Sequence, residues 1–320
     1  MRNWNWKLAS GQLCPCETPP SLPLDFQLGK VQMFRASRLK LYGWLSLASQ
    51  ILIVVTGGAV RLTASGLGCP TWPKCTEDSL ITVPEMGIHG VIEFGNRLLT
   101  FVLAIIALLT FITVMRLGKS SRTGLVWPSF SLGLGIVAQA VLGGITVLTG
   151  LNPWVVGAHF VVSGVLIAIA SILVWRIYAP KTQPVSAFVY YLAWPTLAIG
   201  WVSILFGIVV TGAGPHAGDA DTPRNGLDLE VWQHYHSYPA YLMLLLIVLQ
   251  LIGLAKNSQL STNTGRIALG LLAASVAQAV IGVTQARLGV PPLLVGAHML
   301  GASLIASLLT FNVLSIRSRS

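Results

Sequence analysis

Charge is scarce in this chain. Asp, Glu, Lys and Arg make up 9% of its 320 residues, where a soluble globular domain carries roughly 25%, so most of the molecule cannot present a surface that water would wet. Acids are scarcer still, ten against twenty basic residues, for a net charge of +10. The first 36 residues hold no apolar stretch resembling a secretory h-region, and Glu17 and Asp25 count against a mitochondrial presequence. Residues 1–38 are therefore expected to form a flexible cytoplasmic tail. Only four cysteines are present: Cys14 and Cys16 in that tail, where they should stay reduced, and Cys69 and Cys75 in one loop.

What the chain has instead is apolar length. With 54% of its residues hydrophobic, it offers runs of about 20 residues, enough to cross a bilayer, near 41–59, 90–115, 126–148, 154–174, 188–211, 232–254, 267–286 and 293–316. Hydrocarbon contains no water to satisfy backbone groups, so each run must pair its own amides and is a helix. The expected fold is an all-α polytopic membrane protein with eight transmembrane helices.

The basic residues report orientation. With the N-terminus in the cytoplasm, fifteen of the twenty, Arg38, Lys119, Arg176 and Lys256 among them, fall inside, while eight of the ten acids lie outside or at the outer end of a span. This is the positive-inside bias, and it accounts for the charge without a nucleic-acid partner. Both termini then face the cytoplasm, with the lipid bilayer as the surrounding phase.

The chain also repeats itself. VAQAVLGGITVLTGLNPWVVGAHF (137–160) aligns without gaps on VAQAVIGVTQARLGVPPLLVGAHM (276–299) with 12 identities in 24 positions. Shared hydrophobicity would match Leu to Val, but it would not pair Gln139 with Gln278, Gly143 with Gly282, Pro153 with Pro292 and His159 with His298. The same offset, within one residue, sets Asn96 against His236. Two parallel-repeat four-helix halves are expected, 39–178 and 188–316, joined by a cytoplasmic linker at 179–187 and followed by a cytoplasmic tail at 317–320. The duplicated glutamines are expected to bridge helices.

Depth singles out the histidines. Asn96, His159, His236 and His298 each lie 17 to 20 residues from the basic residue that ends their span, about 25–30 Å at 1.5 Å per residue. They share one level, near the outer face, on the second and fourth helices of each half. Polar groups within a span are costly and default to functional sites. Two imidazoles on facing helices are the way a bundle grips a flat iron macrocycle. His236 and His298 form such a pair, and Asn96 with His159 is its counterpart. Zinc is a poorer fit, since two histidines leave a tetrahedral ion short of ligands.

At this point TGGAVRLTASGLGCPTWPKC (56–75), IEFGNRLLT (92–100) and the two VGAH helices resemble the heme A synthase family, over residues 40–316. The resemblance implies oxidation of the C8 methyl of heme O to the formyl of heme A for terminal oxidases. It implies heme b ligated by His236 and His298, and heme O as substrate at His159 with Glu93 beside it. Partners would be a heme O synthase and the terminal oxidase assembly machinery, and a homo-oligomer is compatible with the pattern. One position departs: many members have a histidine where this chain has Asn96, which leaves the substrate heme with an open face.

Methyl-to-formyl oxidation needs an electron route and a proton acceptor, and Glu93, one of very few acids within a span, suits the second task; the alternative is a structural pair with Arg97. Arg61 and Arg97 are candidates either for heme propionates or for snorkelling anchors. Cys69 and Cys75 sit on the oxidising side, where a disulfide is expected. His89 is a stand-in ligand or a loop residue, His216 belongs to a polar loop, and His234 is the rival of His236 two residues away. The tryptophans, Trp72, Trp154 and Trp194 among them, read as an interfacial belt. Two other functions remain open, a cytochrome b-type electron carrier and a proton-coupled transporter.

Overall fold

The computed structural model describes residues 24–180, 182 and 184–318, without the side chains of 24–36 and 317–318. The expectations for residues 1–23, Cys14 and Cys16 included, lie outside the described residues. The elements run α1 (Leu24–Leu62), α2 (Gly87–Met115), α3 (Lys119–Arg122), α4 (Val126–Leu148), α5 (Pro153–Tyr178), β1 (Pro184–Val185), α6 (Ala187–Ala213), α7 (Leu229–Lys256), α8 (Asn263–Arg287), α9 (Pro292–Ser315) and β2 (Arg317–Ser318). Eight of the helices are long and apolar enough to cross a membrane, α1 from Ser37 onward and all the others except α3. The protein is a multi-pass membrane protein. α1 begins directly after Pro23 and meets no further proline before its end, so helix takes in residues 24–38, which the sequence pattern had left as tail.

Helix ends follow local chemistry. Asn152, Ser186, Asp228 and Thr262 are N-caps whose side chains accept backbone N–H bonds at the starts of α5, α6, α7 and α8. Pro153 and Pro292 open α5 and α9, where a missing amide costs nothing. The turns before them are the same turn twice: Gly150 and Leu151 have φ of 59° and 59°, Gly289 and Val290 of 74° and 62°. A left-handed conformation at a leucine and at a valine is unfavourable, so its recurrence at equivalent places ties the sequence repeat to backbone geometry.

The helices close into two rings. α1 packs on α2, α2 on α4, α4 on α5 and α5 on α1; likewise α6 packs on α7, α7 on α8, α8 on α9 and α9 on α6. The rings meet through α1, α5, α6 and α9, where the Ser171 and Ser307 hydroxyls bond at 2.8 Å. Solid packing fills one end of each ring. In the first it is built from Leu47, Leu132, Ile167 and Leu173, in the second from Val189, Ile247, Leu271 and Leu309. Toward the other end of the second ring, no residue of 204–211, 229–238, 276–287 or 292–302 is buried.

Across the second ring, α7 and α9 are joined by a reciprocal amide pair: Gln250 Nε2 donates to Asn312 Oδ1 at 3.0 Å and Asn312 Nδ2 donates to Gln250 Oε1 at 3.1 Å, both residues buried. Gln250 follows His236 by fourteen residues and Asn312 follows His298 by fourteen, close to four helical turns, so both pairs project from the same faces of the same two helices. Asn312→Leu strands the Gln250 amide. We expect a loss of about 1–2 kcal/mol, read as a lower thermal unfolding midpoint in detergent, with most of it recovered when Gln250→Leu is added.

Candidate functional site

The second ring brings His236 and His298 ring to ring, centroids 6.1 Å apart and planes at 75°. Each has a glycine behind it. A Cβ at Gly207 of α6 would meet His236 Cε1 at 3.0 Å, and one at Gly282 of α8 would meet His298 Cε1 at 3.1 Å. The Ser203 carbonyl, also on α6, lies 2.8 Å from His236 Nδ1; a carbonyl can only accept, so Nδ1 carries the proton and Nε2 keeps its lone pair. Gln278 donates to the His298 backbone carbonyl at 2.8 Å, and His298 Nδ1 is buried without a partner among the described residues.

These features fit a flat metal macrocycle. An imidazole nitrogen lies about 2 Å from a metal it binds, so two rings gripping one metal from opposite sides have centroids roughly 6 Å apart, as found. The loosely packed end of the ring is where such a group would lie. Capable ligands are present, and one has the second hydrogen bond that fixes a ligating tautomer.

The first ring repeats half of this. Gln139 donates to the His159 carbonyl at 3.1 Å and to Ser163 Oγ at 2.5 Å, and a Cβ at Gly143 would meet His159 Cε1 at 3.3 Å. His159 Nδ1 is buried and, among the described residues, unpartnered, like His298 Nδ1. The other half differs: Asn96 of α2 accepts at Oδ1 from Thr56 Oγ of α1, at 2.8 Å. The glutamines do bridge helices, α4 to α5 and α8 to α9, and each bridge ends on the backbone of a histidine.

Glu93 is buried and joined to Arg97, whose Nε and Nη2 donate to Oε1 at 3.2 and 2.6 Å. The Cys69 amide donates to Glu93 Oε2 at 2.5 Å. Arg97 also donates to the carbonyls of Cys69, Thr71 and Lys74 at 2.9, 3.0 and 3.1 Å. Cys69 and Cys75 form a disulfide. The carboxylate and guanidinium thus grip the disulfide loop from one turn of α2. That loop sets Trp72 against Gly144 of α4, where a Cβ would meet the indole Cε2 at 2.6 Å. Trp72 thus packs on α4 at the residue next to Gly143 while remaining partly exposed.

Arg61 reaches out of the first ring and donates to the carbonyls of His216 and Thr211, the latter at 2.6 Å. His216 Nε2 lies 2.8 Å from the Val290 carbonyl. His89 is exposed, its Nδ1 2.9 Å from Ser65 Oγ. His234 is exposed and bonds its own helix at the Glu230 carbonyl, 2.8 Å away. Trp154 and Trp194 are exposed. Sequence reasoning missed Thr56, Ser203, Gly207 and the seat of Trp72. Gly143 and Gly282 did carry a signal, being matched in the repeat.

Residues 40–309 match the family COX15-CtaA, cytochrome oxidase assembly protein. The chain is similar to the heme A synthase of Lysinibacillus sphaericus, 34% identical over 180 residues covering 53% of this chain and 56% of the relative. It is similar to that of Geobacillus thermodenitrificans, 29% over 171 residues, 53% and 49%. That of Staphylococcus epidermidis is 26% identical over 245 residues, 70% and 78%. The first two matches span about half the length of those relatives.

The loop clamp makes a prediction of its own. Arg97→Ala removes the α2 donors to the carbonyls of residues 69, 71 and 74, and should raise the rate of proteolytic cleavage within the loop several-fold. Glu93→Gln, whose amide oxygen still accepts, should raise it less.

Proposed function

The chain belongs to the COX15-CtaA family of cytochrome oxidase assembly proteins, and from that premise we propose that it is a heme A synthase, oxidising the C8 methyl of heme O to a formyl group. Written in balance, R–CH3 + H2O gives R–CHO + 4 H+ + 4 e−. The observation that carries the reading is the His236–His298 pair, 6.1 Å apart in the loosely packed end of a ring. His236 and His298 would hold heme b, which supplies a one-electron relay when bound. Substrate heme O would sit in the first ring on His159. The electron-carrier and transporter alternatives draw no support from the relatives' names.

The residues divide the work. Ser203 fixes the His236 tautomer, and Gln139 and Gln278 seat the backbones of His159 and His298. Glu93 accepts three hydrogen bonds, from Arg97 Nε, Arg97 Nη2 and the Cys69 amide. A carboxylate offers about four acceptor sites, so one remains to take a proton leaving the substrate methyl. Arg97 spends its donors on Glu93 and the loop; Arg61, which donates through Nε and Nη2, keeps Nη1 for a propionate.

The positive-inside bias supports placing both termini in the cytoplasm of a bacterial cell, with the histidine level outside. The twofold turn, the paired glutamines and the backing glycines support two halves made by duplication. The substrate implies a heme O synthase upstream and the oxidase assembly machinery downstream.

Co-expression with a heme O-forming enzyme, followed by mass analysis of extracted hemes, tests the class: the product should gain one oxygen and lose two hydrogens, and absence of that species refutes the reading. The purified protein should retain protoheme, and His236→Ala or His298→Ala should lose it. Glu93→Gln should leave heme O accumulated in cell extracts, with heme A reduced at least tenfold.

A further inference from the structure

Asn96 occupies the register in which the second ring has His236, and its hydrogen bonding differs in sign. In the second ring, α6 offers an acceptor, the Ser203 carbonyl, to His236 Nδ1. That arrangement leaves Nε2 as a basic lone pair suited to a metal. In the first ring, α1 offers a donor, the Thr56 hydroxyl, to Asn96 Oδ1. A carboxamide binds a metal through oxygen, because its nitrogen lone pair is delocalised into the carbonyl. With Oδ1 engaged, the amide presents its NH2, which has two donors and no acceptor. Gly57 keeps that side open: even a Cβ there would approach Nδ2 only to 3.9 Å. An asparagine also ends short of where an imidazole nitrogen would reach, which leaves room for a small molecule.

We propose that Asn96 is not a heme ligand but a hydrogen-bond donor, directed through Nδ2 at a small ligand on the heme face opposite His159, with Thr56 as the residue that positions it. This rests on the reading that His159 holds the substrate heme. The structural basis is the diagonal placement of α2 and α5 in the ring, His159 backed by Gly143 on α4 and Asn96 backed by Thr56 and Gly57 on α1. The same plan in the second ring sets its two histidines ring to ring.

The test uses the full-length protein in detergent, carrying its retained heme and loaded with heme O, reduced and exposed to carbon monoxide. The low-spin signal of the His236–His298 site in each sample reports that the variant is folded. We expect a carbon monoxide complex that disappears in His159→Ala. Its C–O stretch should shift to higher frequency in Asn96→Leu, which cannot donate, and should shift or broaden in Thr56→Val, which no longer holds the amide. Asn96→His should convert the heme O signal to low spin in the absence of carbon monoxide. An unchanged C–O stretch in both Asn96→Leu and Thr56→Val overturns the donor role. So does a wild-type heme O signal already low-spin that becomes high-spin in Asn96→Leu, since Asn96 would then be a ligand. Heme O that binds equally in His159→Ala overturns the substrate-site reading itself, and this outcome is distinct from the other two.

Discussion

Helices α7 and α9 reach each other across the middle of a ring by side chains alone, so the register between them decides whether His236 and His298 meet. A helix in hydrocarbon satisfies its own backbone and has no hydrophobic reason to prefer one axial position against a neighbour over another. Polar contacts supply that preference. The Gln250–Asn312 pair fixes the register at one end, and the equal fourteen-residue spacing to both histidines transfers it to the other. A shift of one residue would move each side chain about 1.5 Å along the axis and 100° around it, breaking both pairs together. Between them the ring is packed with Met243, Ile247, Ile305 and Leu309, which keeps the two helices from rolling.

The two rings share a plan and differ where the chemistry must differ. On the fourth spanning helix of each, the same turn, the same glutamine bridge and the same backing glycine set a histidine whose Nδ1 has no partner among the described residues. On the second helix the plans diverge. His236 is supported by a carbonyl and Asn96 by a hydroxyl, and a donor or an acceptor in that supporting position changes what the side chain can offer inward. Only the first ring carries the disulfide loop and the Glu93–Arg97 clamp. In the reading proposed above, the ring with two well-seated imidazoles would hold the group that stays, and the ring with one imidazole and an amide the group that arrives and leaves.

Much of this was legible in the sequence, for identifiable reasons. Eight spans follow from apolar length, and their observed ends fall within a few residues of the runs, because charged and capping residues mark them. The preference for His236 over His234 followed from the repeat, and in the structure the His236 ring lies 6.1 Å from that of His298 while His234 is exposed and bonds its own helix. What stayed hidden depends on contacts between distant segments. Nothing local to Ser203 announces that its carbonyl will orient an imidazole thirty-three residues away. Gly207 reads as one more small residue in a span, and Trp72 reads as an interfacial aromatic until the loop folds it onto Gly144. The helical extent of α1 was missed because amphipathic periodicity is absent from residues 24–38, while a helix already nucleated by a long apolar span extends at little cost.

Glu93 looked from the sequence like a choice between proton chemistry and a structural ion pair. The geometry shows the ion pair, and it draws in the loop as well. Its carboxylate is held by Arg97 and by the amide of a disulfide cysteine, and Arg97 is held by three carbonyls of the same loop, so carboxylate, guanidinium and loop form one unit. The loop's Trp72 lies against Gly144, adjacent to the glycine that backs His159. A shift of this carboxylate would disturb the Arg97 and Cys69 contacts that seat the loop carrying Trp72.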